Sequence, residues 1–438
     1  DTDPRLKKPV IEFYEKIRED LQWLGCKWSQ EFIQSDRLQI YYEHVEKLLQ
    51  MESAYVCDCL QEDFRRNVTA GIACPCRDQS LENNLERWSK MFEGSADEGS
   101  AVVRVKTNLK HPNPAVREWP AMRIINTEKT PHPLVGSKYR VWPLYNLSTG
   151  LDDHLMGITH IIRGKEHLTN EARQRFMYSH FGWEYPEAIH YGRLRIAGAS
   201  LSKSRIKVGV ERKFYKGYDD PRLATFLALR RRGIAPDAIR TMIVEVGSKA
   251  HDIQLSREAL YTYNRRLIDP RSARYFFVKK PISLVISQLR ETVVGRVHVH
   301  PDHPERGERV FKLEPKNGVA SLWVSRDDLK ALMPQTVARL IGLCNIEINE
   351  IEENVVRTSF HSISLEEGKT ARAPLIHYVT QPEVPMRVIM PNAKKAQGLG
   401  ESSCKELQAN EVVQLERFGF VRIDNVQEEE ILAFYAHR

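Results

Sequence analysis

Apolar and polar residues alternate along this chain with two different periods. From Pro9 the period is helical: Val10, Tyr14, Ile17, Leu21 and Leu24 recur at three- and four-residue steps, and Gly25 follows as a C-terminal stop. Residues 36–50 carry the same signal. Residues 101–107 (AVVRVKT) and 121–126 (AMRIIN) read instead as short strands. From Tyr139 the order is YRVWPLYN, a helix over roughly 148–157, then ITHIIRG, which predicts a βαβ unit and a parallel sheet. Residues 222–232, 236–247 and 256–265 are helical in pattern. Beyond about 270 the texture turns to short alternating strands, such as 344–360 and 414–424, which predicts one or two antiparallel barrels.

At 438 residues the chain can bury several cores, so two to four domains are expected. A hydrophobic content of 42% and a charged content of 28% place it in the ordinary globular class. No apolar run has the length needed to cross a bilayer, so no membrane partner is expected. A net charge of +7 suits a polyanionic partner without specifying one. Seven cysteines, an odd number with no secretion signal, point to a reducing compartment, hence the cytoplasm.

Four local patterns carry candidate chemistry. Cys57-x-Cys59 is followed, after fourteen residues, by Cys74-x-Cys76. Two close thiol pairs suit a tetrahedral, structural Zn²⁺; the alternative is a set of unligated thiols in a cytosolic loop. Ser200-Leu201-Ser202-Lys203-Ser204 sets a lysine on a hydroxyl-rich loop able to follow a phosphate group, or else forms a solvated basic loop. In the stretch 145–167, Arg163 falls at the C-terminal end of a predicted parallel strand, where open α/β sheets place ligand contacts, and its planar fork matches a carboxylate. Asp152 and Asp153 read as helix-start or structural acids, and Tyr145 as core packing or a substrate contact. Finally, GYDDPR (217–222) and ALRRRG (228–233) describe a turn capping a helix with a basic end.

Taken in order, these segments resemble the class I glutamyl- and glutaminyl-tRNA synthetases, specifically the archaeal-type glutamyl branch, over essentially the whole chain. DTDPRLKKP resembles the end of that family's FDDTDP motif, and SLSKS its KMSKS loop with Ser200 in place of the usual lysine. GYDDPRL with ALRRRG, RLIDP (266–270) and LERFGFVRID are similar to later family segments. The resemblance implies an α/β Rossmann-type catalytic domain (1–51 and 136–216) interrupted by an acceptor-stem-binding insertion (52–135). A helical subdomain (217–268) and anticodon-binding β-barrels (269–438) would follow.

The resemblance also implies an activity: ATP-dependent activation of L-glutamate with Mg²⁺, then transfer to the 3′ end of tRNA(Glu), with tRNA required for the first step. Whether tRNA(Gln) is charged as well stays open. By the same resemblance Lys203 is the transition-state cation, with Ser202, Ser204 and Glu166 near ATP. Tyr145, Arg163, Asp1, Asp3 and Thr149 are implied at the amino acid. Glutaminyl enzymes carry Cys where Arg163 stands, so Arg163 favours glutamate over its neutral isostere. The family's HIGH motif does not occur here, so the chain alone is expected to be N-terminally incomplete and inactive, with an exposed sheet edge. The competing expectation is a tRNA-binding remnant without chemistry.

Overall fold

Helix α1 (Ile11–Trp23) forms where the apolar period predicts it and ends at Gly25, whose φ of 75° is the left-handed stop. None of its thirteen residues is buried, and Ile11, Ile17 and Leu21 face solvent. The chain is seen in a computed structural model that describes residues 1–2, 4–5, 8–196 and 202–438. These fall into two units, Asp1–Leu194 with Gly247–Ile253, and Arg195–Val246 with Gln254–Arg438.

In the first unit, α2 (Leu38–Gln50) presents Tyr41, Val45, Leu48 and Leu49 at helical spacing and buries them all. They pack on one face of an antiparallel sheet of β1 (Ala54–Cys57), β2 (Val102–Val105), β3 (Pro120–Ile124) and β4 (Val141–Pro143), in that order. Between β1 and β2 lie α3 (Gln61–Ala70) and α4 (Leu81–Lys90). The sheet takes its fourth strand from 141–143, beyond the insertion end expected at 135.

One expectation is corrected here. The strand before α5 (Tyr145–Leu155) is β4, and it pairs antiparallel with β3 rather than parallel with the strand after that helix. That later strand, β5 (His160–Gly164), pairs parallel with β6 (Glu187–Tyr191) across α6 (Leu168–Phe181), so the βαβ unit starts one strand further on. The physical reason lies in β4 itself. It is three residues long and ends in Pro143, which has no N–H to donate, so it serves as the last strand of the antiparallel sheet.

Helices α5 and α6 touch closely at Gly150, where a Cβ would stand 2.6 Å from Met177 Cε. That approach lets the buried Tyr178 hydroxyl donate to the Gly150 carbonyl at 2.7 Å.

In the second unit, α7 (Lys203–Glu211), α8 (Phe226–Arg231), α9 (Pro236–Val246) and α10 (Arg257–Ile268) precede the strands. Helix α8 starts four residues later than predicted. Asp220 accepts the Lys216 and Arg222 N–H groups at 3.0 and 3.1 Å, which holds the preceding segment as a turn, and Thr225 then caps the helix.

Two seven-stranded sheets follow, one from strands between Pro281 and Val379, the other from Arg274–Lys279 together with 384–437. Strand Pro281–Ser287 shows the period of two directly, burying Ile282, Leu284 and Ile286. The expected purely antiparallel barrels are corrected to mixed ones. Leu284 pairs antiparallel with Leu322 but parallel with Val356, and Met386 runs parallel to Ile431. Alternation reports which face is buried and is silent on strand direction.

Candidate functional site

Three of the residues expected at the amino acid, Tyr145, Thr149 and Arg163, lie on α5 and β5, next to α6. Tyr145 opens α5, and Thr149 and Asp153 follow at four-residue steps, so all three share one face. Arg163 projects from the end of β5, as its strand position suggested. Its Nη1 donates to Oε1 of Gln174 at 2.8 Å, and its Nη2 forms an ion pair with Oδ2 of Asp153. The guanidinium carbon lies 5.9 Å from the Tyr145 ring centroid, and His167 packs on that ring at 5.2 Å. Tyr145 is 41% exposed, so the arrangement opens to solvent on the tyrosine side. Burial raises the Tyr145 hydroxyl, opposed by Arg163.

The two aspartates divide their roles, and neither starts a helix. Both lie near the C-terminal end of α5, where the helix dipole disfavours anions and a cation must compensate. Asp152 is buried and structural, accepting from Arg37 at 2.9 Å, Tyr41 at 2.7 Å and Gln34 at 2.9 Å. Asp153 pairs with Arg163. Burial pushes its carboxyl above the ordinary range, and Arg163 pulls it back. Its place four residues after Thr149 was a signal available in the sequence. Gln174, fully buried on α6, gave none.

The other implied residues are more scattered. The Asp1 carboxylate is taken by the Ser35 N–H at 3.1 Å, the Ser35 hydroxyl at 2.8 Å and the Tyr14 hydroxyl at 2.7 Å. Asp3 lies outside the described residues, as do Ser200 and Leu201. Thr149 is half-buried and Glu166 exposed. Lys203 belongs to α7 as its first residue instead of to a loop, with Ser202 before it and Ser204 after it, all exposed. A lysine there adds its charge to the positive end of the helix dipole, a combination suited to anions.

The four cysteines converge. Cys57 ends β1, Cys59 lies in the turn after it, and α3 brings the chain back so that Cys74 and Cys76 face them. Sulfur–sulfur distances are 3.5 Å (57–74), 3.4 Å (59–74) and 3.6 Å (59–76), and all four atoms lie within 4.8 Å of one another. A zinc–sulfur bond of about 2.3 Å sets sulfurs roughly 3.8 Å apart at tetrahedral corners. Without a cation, burial pushes the Cys76 thiol up to about 12. Asp58 and Arg87 border the cluster, joined to each other at 2.9 Å. Among the described residues no other group of metal-ligating side chains converges in this way.

The family described as tRNA synthetases class I (E and Q), catalytic domain, matches residues 1–270. Two anti-codon binding domains of the same synthetases match 272–364 and 373–424. The glutamate–tRNA ligase of Thermococcus kodakarensis is 49% identical over 441 aligned positions, covering 100% of this chain and 76% of that protein. That of Pyrococcus horikoshii is 50% identical with the same coverage, and that of Methanopyrus kandleri 45% identical over 438 positions, also 100% and 76%. Among solved structures, a glutamate tRNA ligase from Elizabethkingia meningosepticum in complex with its amino acid matches with a TM-score of 0.39. It is 20% identical, with 62% of each chain covered.

Proposed function

This chain belongs to the class I tRNA synthetases of the E and Q kind, and we propose that it ligates L-glutamate to tRNA(Glu) at the expense of ATP. The observation that carries this is identity near 50% to glutamate–tRNA ligases along the whole chain; Arg163, held by Gln174, is the residue we assign to the substrate carboxylate. In the first step an oxygen of the glutamate α-carboxylate attacks the α-phosphorus of ATP, and pyrophosphate leaves with the electron pair of the broken P–O bond. In the second, a terminal ribose hydroxyl of tRNA attacks the mixed-anhydride carbonyl, loses its proton, and AMP leaves.

The residues divide the work by chemistry. Arg163 meets the side-chain carboxylate, since a guanidinium already held by Gln174 and Asp153 grips an anion with little further ordering. Tyr145 and Thr149 line the same face of α5. Lys203, with Ser202 and Ser204 beside it, follows the charge that grows on the departing pyrophosphate, and Glu166 stands toward the ATP ribose. Asp1 and Asp3 belong near the substrate ammonium. Mg²⁺ would ride on the ATP phosphates, keeping most of its waters, as it commonly does in nucleotide sites. Zn²⁺ fits Cys57, Cys59, Cys74 and Cys76, supported by their spacing and soft sulfur donors, and with no open position it would be structural. The module it staples would bind the acceptor stem. The proposed place of work is the cytoplasm, and no helix among the described residues is long and apolar enough to cross a membrane.

The test is charging of tRNA(Glu) and tRNA(Gln) transcripts with labelled glutamate and, in parallel, labelled glutamine. Glutamate on tRNA is expected. Stable binding of tRNA with no aminoacyl product from either amino acid would replace this proposal with an RNA-binding role.

A further inference from the structure

A guanidinium carries five N–H donors in one plane. At Arg163 one donor on Nη1 goes to Gln174 and one on Nη2 to Asp153. Both acceptors are themselves held. Gln174 is 0% exposed, its oxygen also takes the Tyr185 hydroxyl at 2.8 Å, and its Nε2 donates to the Asn146 carbonyl at 3.2 Å. With both lone pairs of that oxygen used and its nitrogen committed, Gln174 has one orientation. Asp153 stands on α5, a different helix, with its side chain 16% exposed. Two acceptors on two helices define the guanidinium plane, and among the described residues its other N–H groups meet no acceptor, which leaves donors for a carboxylate.

The Asp153 carboxylate matters for a second reason. A carboxylate beside a ligand's side chain repels another carboxylate and welcomes an amide N–H, so left alone it would select glutamine. Here its charge is spent on Arg163. We propose that Asp153 is a positioning residue for amino-acid selection: it sets the Arg163 guanidinium to receive the glutamate side chain, and Arg163 in return withholds the Asp153 carboxylate from the amide of glutamine. This rests on the reading of Arg163 as the residue that meets the substrate carboxylate.

The experiment is activation kinetics of the protein as its gene encodes it, with glutamate and glutamine in parallel, for Arg163→Cys, Asp153→Asn and the double variant. Arg163→Cys should raise the glutamine-to-glutamate ratio of kcat/KM by about tenfold or more, the scale of one charged hydrogen bond exchanged. Asp153→Asn should raise KM for glutamate about tenfold on the same scale and leave KM for tRNA in place. Part of the rise in Arg163→Cys should come from a higher kcat/KM for glutamine itself, and in the double variant this glutamine gain should be lost while the loss for glutamate remains. Retention of that gain, with glutamate KM unmoved in Asp153→Asn, would overturn the proposal and leave the Arg163 assignment standing. An unmoved ratio in Arg163→Cys would instead sink that assignment, and the proposal with it. Equal losses for both amino acids on changing Asp153 would mark it as merely structural, which also overturns the proposal. Asp153→Ser, smaller and uncharged, gives the same ratios should the asparagine variant fold poorly.

Discussion

Arg309 and Glu401 form an ion pair of 2.5 Å with both side chains almost wholly buried, at 4% and 3% exposure. The partners come from the two regions matched as separate anti-codon binding domains. Glu401 also accepts the Phe276 N–H at 2.6 Å and the Ser403 hydroxyl at 2.5 Å, and the other end of Arg309 reaches Glu416 at 2.5 Å. Burial raises the Glu401 carboxyl and Arg309 opposes it. Removing one member of such a pair leaves a charge buried without its partner, which typically costs about 3–5 kcal/mol. Arg309→Met should therefore lower the unfolding midpoint of the strand-rich unit sharply. Its deficit should be smaller at pH 5 than at pH 8, because an orphaned Glu401 takes up a proton more readily in the folded state than in the unfolded one. Denaturant unfolding at the two pH values checks this, and equal deficits would contradict it.

Asp220 gives a pH dependence of the opposite sense. Burial alone would raise its carboxyl, but the Arg222 guanidinium at 2.8 Å and the Lys216 and Arg222 N–H groups hold it down near 2. A depressed carboxyl stabilises the fold above its unfolded value, about 3.8, and that contribution fades as pH falls toward 2. Asp220→Asn should cost roughly 2 kcal/mol at pH 7, and the difference from the parent should vanish as the pH approaches 2. A constant difference across that range would show that the carboxylate charge is not what holds the turn.

The cysteine cluster makes a claim that elemental analysis can decide. Purified protein should carry about one zinc per chain, and a strong chelator should release it with loss of structure in the module around Cys57–Cys76. Four readily alkylated thiols there in metal-replete protein, with no zinc, would end the assignment.

Lys203→Ala should depress adenylate formation by about 10²-fold or more, as removal of a single donor to developing transition-state charge does, and leave tRNA affinity nearly unchanged. Filter binding beside single-turnover kinetics separates the two effects. A matching loss of tRNA affinity would move Lys203 from chemistry to binding.

Much of this protein was legible from periodicity. The helix at Ile11–Trp23, the burial of Ile282, Leu284 and Ile286, and the place of Arg163 at a strand end all follow from local patterns of side chains. Strand partners were not legible. Whether β4 joins the strands before or after it depends on distant hydrogen bonds that a three-residue segment ending in proline cannot announce. The same limit hid the parallel pairing of Leu284 with Val356. The resemblance pointed to Tyr145 and Arg163 as candidates, but the groups that hold Arg163 stayed hidden for different reasons. Asp153 was masked by its resemblance to a helix-start acid, and Gln174 looked like any polar residue on a helix. Lys203 read as a loop residue because its serine-rich surroundings carry no helical signal of their own.

The most direct measurement is tRNA-dependent ATP–pyrophosphate exchange by the protein as its gene encodes it, with glutamate and glutamine compared side by side. Exchange with glutamate that requires tRNA, and none above background with glutamine, is the predicted result. Exchange supported equally by glutamine, or by neither amino acid while tRNA remains bound, would contradict a glutamate ligase selected through Arg163.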